Sequence, residues 1–186
     1  MVPNGSPAPL RVQVVCLNED TETAWCYLPE EEEILLLAPL VSALRQHCNG
    51  DGLDMDVFEP LARAMRRKHP GLVRRVNYTP KDGVTDEHAM RMDETATVLL
   101  VICEPVGLEG EALTVSIRGQ CLFAYDAMKE YEKIHEGTEP PALVVLYCGK
   151  RDFQGVSNIE TCFRCEDYSG RDWDAVADRL FKGIES

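Results

Sequence analysis

Four groups of residues in this chain have types and spacings that could do chemistry. Glu19-Asp20 follows the first apolar segment, and Lys150 follows the last long apolar run. Acids after an opening strand and a lysine after a closing one are what an α/β protein uses to take up a phosphoryl group. That chemistry also needs an acceptor carboxylate after a middle strand, and the segment 73–79 ends instead in Tyr78-Thr79-Pro80. The competing reading, solvated loop charges in an acidic chain, is the preferred one. Cys162-x-x-Cys165 has the spacing of a metal or redox pair, with Cys148 upstream. Zinc takes four ligands and no second pair is present, while residues three apart on a strand face opposite ways. The cysteines are therefore expected to be structural thiols, with neither disulfide nor zinc. His47, His69, His88 and His135 lie in polar or helix-end contexts, and no motif joins one to a cysteine nucleophile.

The fourth group is electrostatic. Arg63, Arg66, Arg67, Lys68, Arg74 and Arg75 gather six of the nineteen basic residues into thirteen positions. At about 100° per residue, Arg63, Arg66 and Arg67 share one helix face while Leu61, Ala64 and Met65 turn inward. Such a stripe is either a solvated face or a docking patch for an acidic surface, including another copy of the same domain.

The elements that must position these residues are legible from two apolar runs. Thr95 to Cys103 and Ala142 to Cys148 are rich in Val, Ile and Leu and lack polar alternation. Strands read that way when both faces are buried, as in a parallel sheet covered by helices. The two should be parallel, central neighbours, with a helix over 120–135 between them. Residues 10–17 read as the first strand and Asn18 to Thr23 as its loop. Pro29, Glu30 to Glu33 and the spacing of Ile34, Leu37, Leu40, Val41 and Leu44 predict a helix that Asn49-Gly-Asp-Gly52 ends. Leu53 to Phe58 alternates like an edge strand, 60–69 reads as a short helix, 72–79 as a strand, and 81–93 as a loop with a short helix. Residues 106–118 have no assignable state. Cys162 to Cys165 suits a short final strand, and Trp173, Val176, Ala177, Leu180 and Phe181 an amphipathic closing helix.

Alternating strands and helices predict an α/β fold: a doubly wound, mainly parallel five-stranded sheet with helices on both faces, in the flavodoxin-like order 2-1-3-4-5. Residues 10–186 are expected to form one domain behind a flexible leader, 1–9. The net charge of −13 argues against nucleic acid and against an anionic membrane. No apolar run approaches the length of a membrane span. No glycine-rich loop follows the first strand, so no nucleotide or flavin cofactor is expected. Cysteines inside apolar strands point to a reducing, cytoplasmic setting.

The order of elements resembles the SEFIR branch of the TIR-like superfamily, found in the cytoplasmic parts of interleukin-17 receptors and their adaptor. The pieces are Arg11 to Cys16, the segment 34–47 leading into Leu53 to Phe58, Ala96 to Pro105, and Ala142 to Tyr168. The resemblance implies a non-catalytic signalling scaffold that binds other SEFIR or TIR-like domains. It departs from NAD-cleaving TIR domains, whose Ser-x-x-Trp-Cys-x-x-Glu element has no counterpart after Glu104-Pro105. The competing class is a small α/β enzyme, such as a TIR-like NAD-cleaving hydrolase, with its site above the strand ends near Glu19, Asp20, Glu104 and Lys150.

Overall fold

The two apolar runs do form adjacent parallel strands. They are β4 (Thr97–Cys103) and β5 (Ala142–Cys148), in register from Thr97 opposite Ala142 to Cys103 opposite Cys148. Every residue of β4 is buried, and both strands have a further strand on their other side. The computed structural model describes residues 12–40, 57–137, 142–151, 159–166 and 170–182. Its remaining elements are β1 (Val12–Cys16), α1 (Glu19–Cys26), β2 (Ile34–Pro39), α2 (Glu59–Lys68), β3 (Val73–Tyr78), α3 (Asp86–Asp93), α4 (Gly110–Ile134), β6 (Cys162–Cys165) and α5 (Gly170–Lys182).

The described strands make one six-stranded sheet in the order β1-β6-β5-β4-β2-β3. All neighbours are parallel except β1, which runs antiparallel along β6. The expected five-stranded sheet, with the opening strand inside it, is therefore corrected to a mixed six-stranded sheet with the opening strand at an edge. Val15 is an extra residue between the pairs Val14–Phe163 and Cys16–Cys162, a bulge that disrupts the edge ladder.

Side chains alternate across the sheet, as a two-residue period requires. Ile34, Leu36, Leu99, Val101, Val144 and Leu146 face one way, beneath Trp25 of α1, Leu61 and Met65 of α2, and Trp173, Val176 and Leu180 of α5. Leu35, Leu37, Val98, Leu100, Ile102 and Val145 face the other, beneath Met92 of α3 and Phe123, Ala127 and Tyr131 of α4. Full burial of each such side chain contributes about 1.5–3 kcal/mol before chain entropy is counted.

Two expected elements change type. The segment read as a helix from Pro29 is instead β2, buried at all six positions. Ile34-Leu-Leu-Leu-Ala is apolar throughout, so its positions satisfy a helical period and a doubly buried strand equally well. A place between β3 and β4 decides for the strand. The expected loop at 18–23 is the start of α1. Asn18 caps it, its Oδ1 accepting from Asp20 N at 2.9 Å and Thr21 N at 3.1 Å, and Glu19, Asp20 and Glu22 complement the helix dipole.

The expected strand at 53–58 lies mostly outside the described residues, and its last two, Val57 and Phe58, form a turn into α2. Residues 110–119 extend α4 forward to 25 residues. Among the described residues, no helix is long and apolar enough to cross a membrane.

Candidate functional site

In an open α/β sheet, ligands bind beyond the C-terminal strand ends, where the strand order reverses. Here the chain moves outward from β2 to β3 and then returns past β2 to β4, so the reversal lies between β2 and β4. Pairing of these two strands stops at Leu37 and Leu100, three residues before β4 ends. Two side chains take up the backbone groups of β4 beyond that point. Tyr78, at the end of β3, donates its hydroxyl to Val101 O at 2.7 Å. Gln120 of α4 accepts from Cys103 N at 2.8 Å and donates to Cys103 O at 2.9 Å. Both residues are buried, and Tyr78 also stacks on Phe123 with ring centroids 3.8 Å apart. Tyr78 and Gln120 thus commit their polar groups to the β4 backbone at the reversal point. Burial pushes the Tyr78 phenol well above its ordinary range, so it stays a neutral donor.

Beside it, Glu104 follows β4. Its Oε1 accepts from the Tyr147 hydroxyl at 2.5 Å and from Arg151 N at 2.9 Å. Burial, with the Glu104 hydrogen bond second, raises the Tyr147 phenol far above its ordinary value. Gly149 makes room for this carboxyl, since a Cβ there would stand 2.6 Å from Glu104 Cγ and Cδ. Arg164 of β6 donates from Nε to Gly149 O at 3.1 Å and from Nη2 to Lys150 O. The turn after β5 is therefore held from both sides.

These arrangements separate the residues weighed for an enzyme. Glu104 and Lys150 follow parallel strands. Glu19 and Asp20 follow β1, which is antiparallel, so they lie at the opposite end of the sheet. There Asn18 N donates to Thr161 Oγ1 and Asn18 Nδ2 to Glu160 Oε2, both at 3.0 Å. With seven residues in β5, the two ends are about 20 Å apart. One reactive centre cannot include all four.

The basic cluster is brought together along α2 and β3, but it is interleaved with acids. Arg63 and Arg66 pair with Glu59 at 3.1 and 3.3 Å, and Arg75 lies 3.9 Å from the same carboxylate. Arg67 pairs with Asp174, and Lys68 with Asp178 at 2.6 Å, both joining α2 to α5. Arg74 pairs with Glu33 and Arg66 also donates to Val73 O at 3.0 Å. Among the described residues, these six cations pair with Glu33, Glu59, Asp174 and Asp178. Arg63 is the most exposed of these six, its side chain 68% accessible.

The histidines hold the frame. His69 Nε2 lies 2.9 Å from Glu32 O, with its ring stacked on Phe181. His88 receives the Thr85 amide at Nδ1 and so caps α3, and His135 Nε2 lies 2.9 Å from Met92 O. His47 is outside the described residues. The seven described cysteines are thiols; Cys162 and Cys165 point to opposite faces of the sheet, as their spacing requires. Among the described residues, no group of three or more His, Cys, Asp or Glu side chains is arranged to hold a metal ion.

Sequence reasoning missed Gln120 and Tyr147. Gln120 did carry a signal: it is a polar residue on the stripe that includes Leu113, Phe123, Ala127 and Tyr131, where only a partnered amide is tolerated.

No protein-family model matches the sequence, and no curated protein does. A similar solved structure is that of a fungal multi-domain GH3 β-N-acetylglucosaminidase in which a GCN5-related glucosamine N-acetyltransferase region occurs. The superposition has a TM-score of 0.57 at 14% identity and covers 94% of this chain and 17% of that one. At such identity the likeness shows an α/β fold and nothing about activity.

Proposed function

We propose that the chain is a non-catalytic association domain of the SEFIR and TIR-like kind, acting as a cytoplasmic signalling scaffold. Its partner would be another such domain, a second copy of itself, or an acidic protein surface. The observation that carries this reading is that Tyr78 and Gln120 spend their polar groups on the β4 backbone at the strand-order reversal, where a ligand-using sheet of this type turns such groups to its ligand. The strand order supports it too. Five neighbouring strands, β6-β5-β4-β2-β3, are parallel and the order reverses once, between β2 and β4, an arrangement compatible with a flavodoxin-like core carrying β1 as an added edge.

The docking surface we favour is the α2 and β3 side with Arg63, Arg66, Arg67, Lys68, Arg74 and Arg75. Its exposed arginines, Arg63 and Arg67 above all, would steer an acidic partner, an attraction that weakens with added salt. The enzyme alternative, a TIR-like NAD-cleaving hydrolase, would need Glu104 released from Tyr147 and Arg151.

The test combines sedimentation equilibrium with a turnover assay. The protein should gain mass with concentration at low salt. The gain should be lost at high salt and in the Arg63→Glu, Arg66→Glu, Arg67→Glu triple variant, whose circular dichroism should match the parent. Unchanged self-association in that variant removes the basic surface from the reading. Cleavage of NAD that disappears in Glu104→Gln overturns the non-catalytic reading itself.

A further inference from the structure

The register of β4, β5 and β6 aligns Cys103, Cys148 and Cys165 in one row at the C-terminal strand ends. All three belong to the core on the face covered by α1, α2 and α5. Within the row, Cys165 Sγ donates to Cys148 Sγ across 3.3 Å. Both residues are almost wholly buried, at 0% and 1% exposure. We propose that Cys148 and Cys165 are a redox modification site: a dithiol that a small hydroperoxide converts to a disulfide, clipping β5 to β6.

The backbone already suits the bond. Directly opposed residues on neighbouring strands stand about 5 Å apart, inside the roughly 4.4–6.8 Å span of disulfide Cα atoms. Closing the bond brings the sulfurs from 3.3 Å to about 2.0 Å and turns the Cβ–S–S–Cβ dihedral to about 90°. The chemistry balances with the peroxide as sole oxidant. One thiol, as thiolate, attacks a peroxide oxygen and breaks the O–O bond; the departing hydroxide takes up the thiol's proton as water. The resulting sulfenic acid is attacked by the second sulfur, and a second water leaves as the S–S bond forms.

Two features set the behaviour of the pair. Burial, reinforced by the hydrogen bond from Cys165, raises the Cys148 thiol well above its ordinary value, so the first step is slow. The second step is intramolecular between groups already in contact, so a sulfenic acid at either position is captured before it oxidises further. The clip would sit beneath the turn that Arg164 holds through Gly149 O and Lys150 O. Oxidation would therefore stiffen the segment presenting Lys150 and Arg151. Cys16 and Cys162 are also cross-strand partners. However, the Cys16 thiol donates to Ile159 O at 3.2 Å, and Cys162 lies in the opposite core, which makes this pair the natural control.

The test is disulfide mapping of the folded wild-type chain after hydrogen peroxide treatment, with remaining thiols alkylated under denaturing conditions. Trypsin separates the relevant residues: Ile134–Lys150 carries Cys148, Cys165–Arg171 carries Cys165, and Cys162 falls in the intervening peptide. The expected product is a dithiothreitol-sensitive link between the first two, dominant over every other pair and absent from Cys165→Ala. Oxidised wild type should also unfold at higher temperature than reduced, a shift that dithiothreitol reverses. Loss of both thiols to sulfinic or sulfonic acid without the link, or a dominant Cys16–Cys162 link, overturns the proposal. Because the mapping uses the wild type, a Cys165→Ala chain that fails to fold does not rescue it.

Discussion

Gln120 and Cys103 form a closed pair: the side-chain amide of one satisfies both backbone groups of the other, at 2.8 and 2.9 Å. Cys103 is the last residue of β4, and its edge toward β2 has run out of strand partner by then. A helix side chain thus completes a sheet ladder. Replacing Gln120 by Leu keeps similar bulk but leaves a buried N–H and C=O without their partner. The expected loss is about 2–4 kcal/mol, read as a lower urea midpoint with unchanged slope. A loss within error would mean that the amide is not holding the strand end.

Gly71 should be intolerant of any side chain. A Cβ there would lie 2.2 Å from Glu32 O and 2.4 Å from His69 Nε2. The carbonyl belongs to the backbone leading into β2, where Ile34 N donates to Leu72 O at 2.8 Å, so it cannot swing aside cheaply. Gly71→Ala is expected to cost about 1–3 kcal/mol, as overpacking does. Thermal melts of the two chains check this.

Stability should fall in alkali because of two thiols, the partly buried Cys121 and the buried Cys162. Burial pushes Cys121 up from 9.0 to about 11 and Cys162 to about 12. Their folded values are raised, so their contribution is complete below pH 9 and is lost as pH climbs toward the folded values. Between those limits the unfolded chain has released protons that the folded chain still holds. The slope is at most about 1.4 kcal/mol per pH unit for each thiol. Urea titrations on either side of pH 9 measure it, and Cys162→Ala should flatten the slope. An equally steep slope in that variant would assign the effect elsewhere.

The α2–α5 contact should have the opposite pH sign. Hydrogen bonding from Lys68, and then from Lys182, holds the Asp178 carboxyl below its ordinary 3.8. A depressed folded value gives stability that is present above 3.8 and lost as pH falls through the folded value. The pair is partly exposed, with side-chain accessibilities of 33% and 41%. Its worth is therefore below about 1 kcal/mol. A double-mutant cycle of Lys68→Met and Asp178→Asn should show coupling at neutral pH and none in strong acid, with salt reducing the neutral value.

Some of this molecule is legible without coordinates. The runs 95–103 and 142–148 are short, rich in β-branched residues and bounded by prolines and glycine, which favours buried strands, and the helical stripe between them favours a parallel crossover. The segments 60–69 and 173–181 carry helical stripes that hold in α2 and α5. Part of the candidate site was legible as well, since Glu104 and Lys150 had to follow those strands. The sequence also contained the Asn18 cap and acidic turn of α1, which the reading of 18–23 as a loop passed over.

What only the tertiary structure decided is direction and partnership. A strand's amide pattern serves either polarity, so Val12–Cys16 does not reveal that it runs antiparallel to β6, and that one reversal moves Glu19 and Asp20 to the far end of the sheet. An unbroken apolar run satisfies helical and extended periods alike, so Ile34–Pro39 became a strand only because β3 and β4 lie on either side of it. A cluster of arginines does not name its carboxylates, which come from as far along the chain as Asp174 and Asp178. Local chemistry determines what each segment can bury. Long-range packing decides which end of the sheet it reaches and what meets it there.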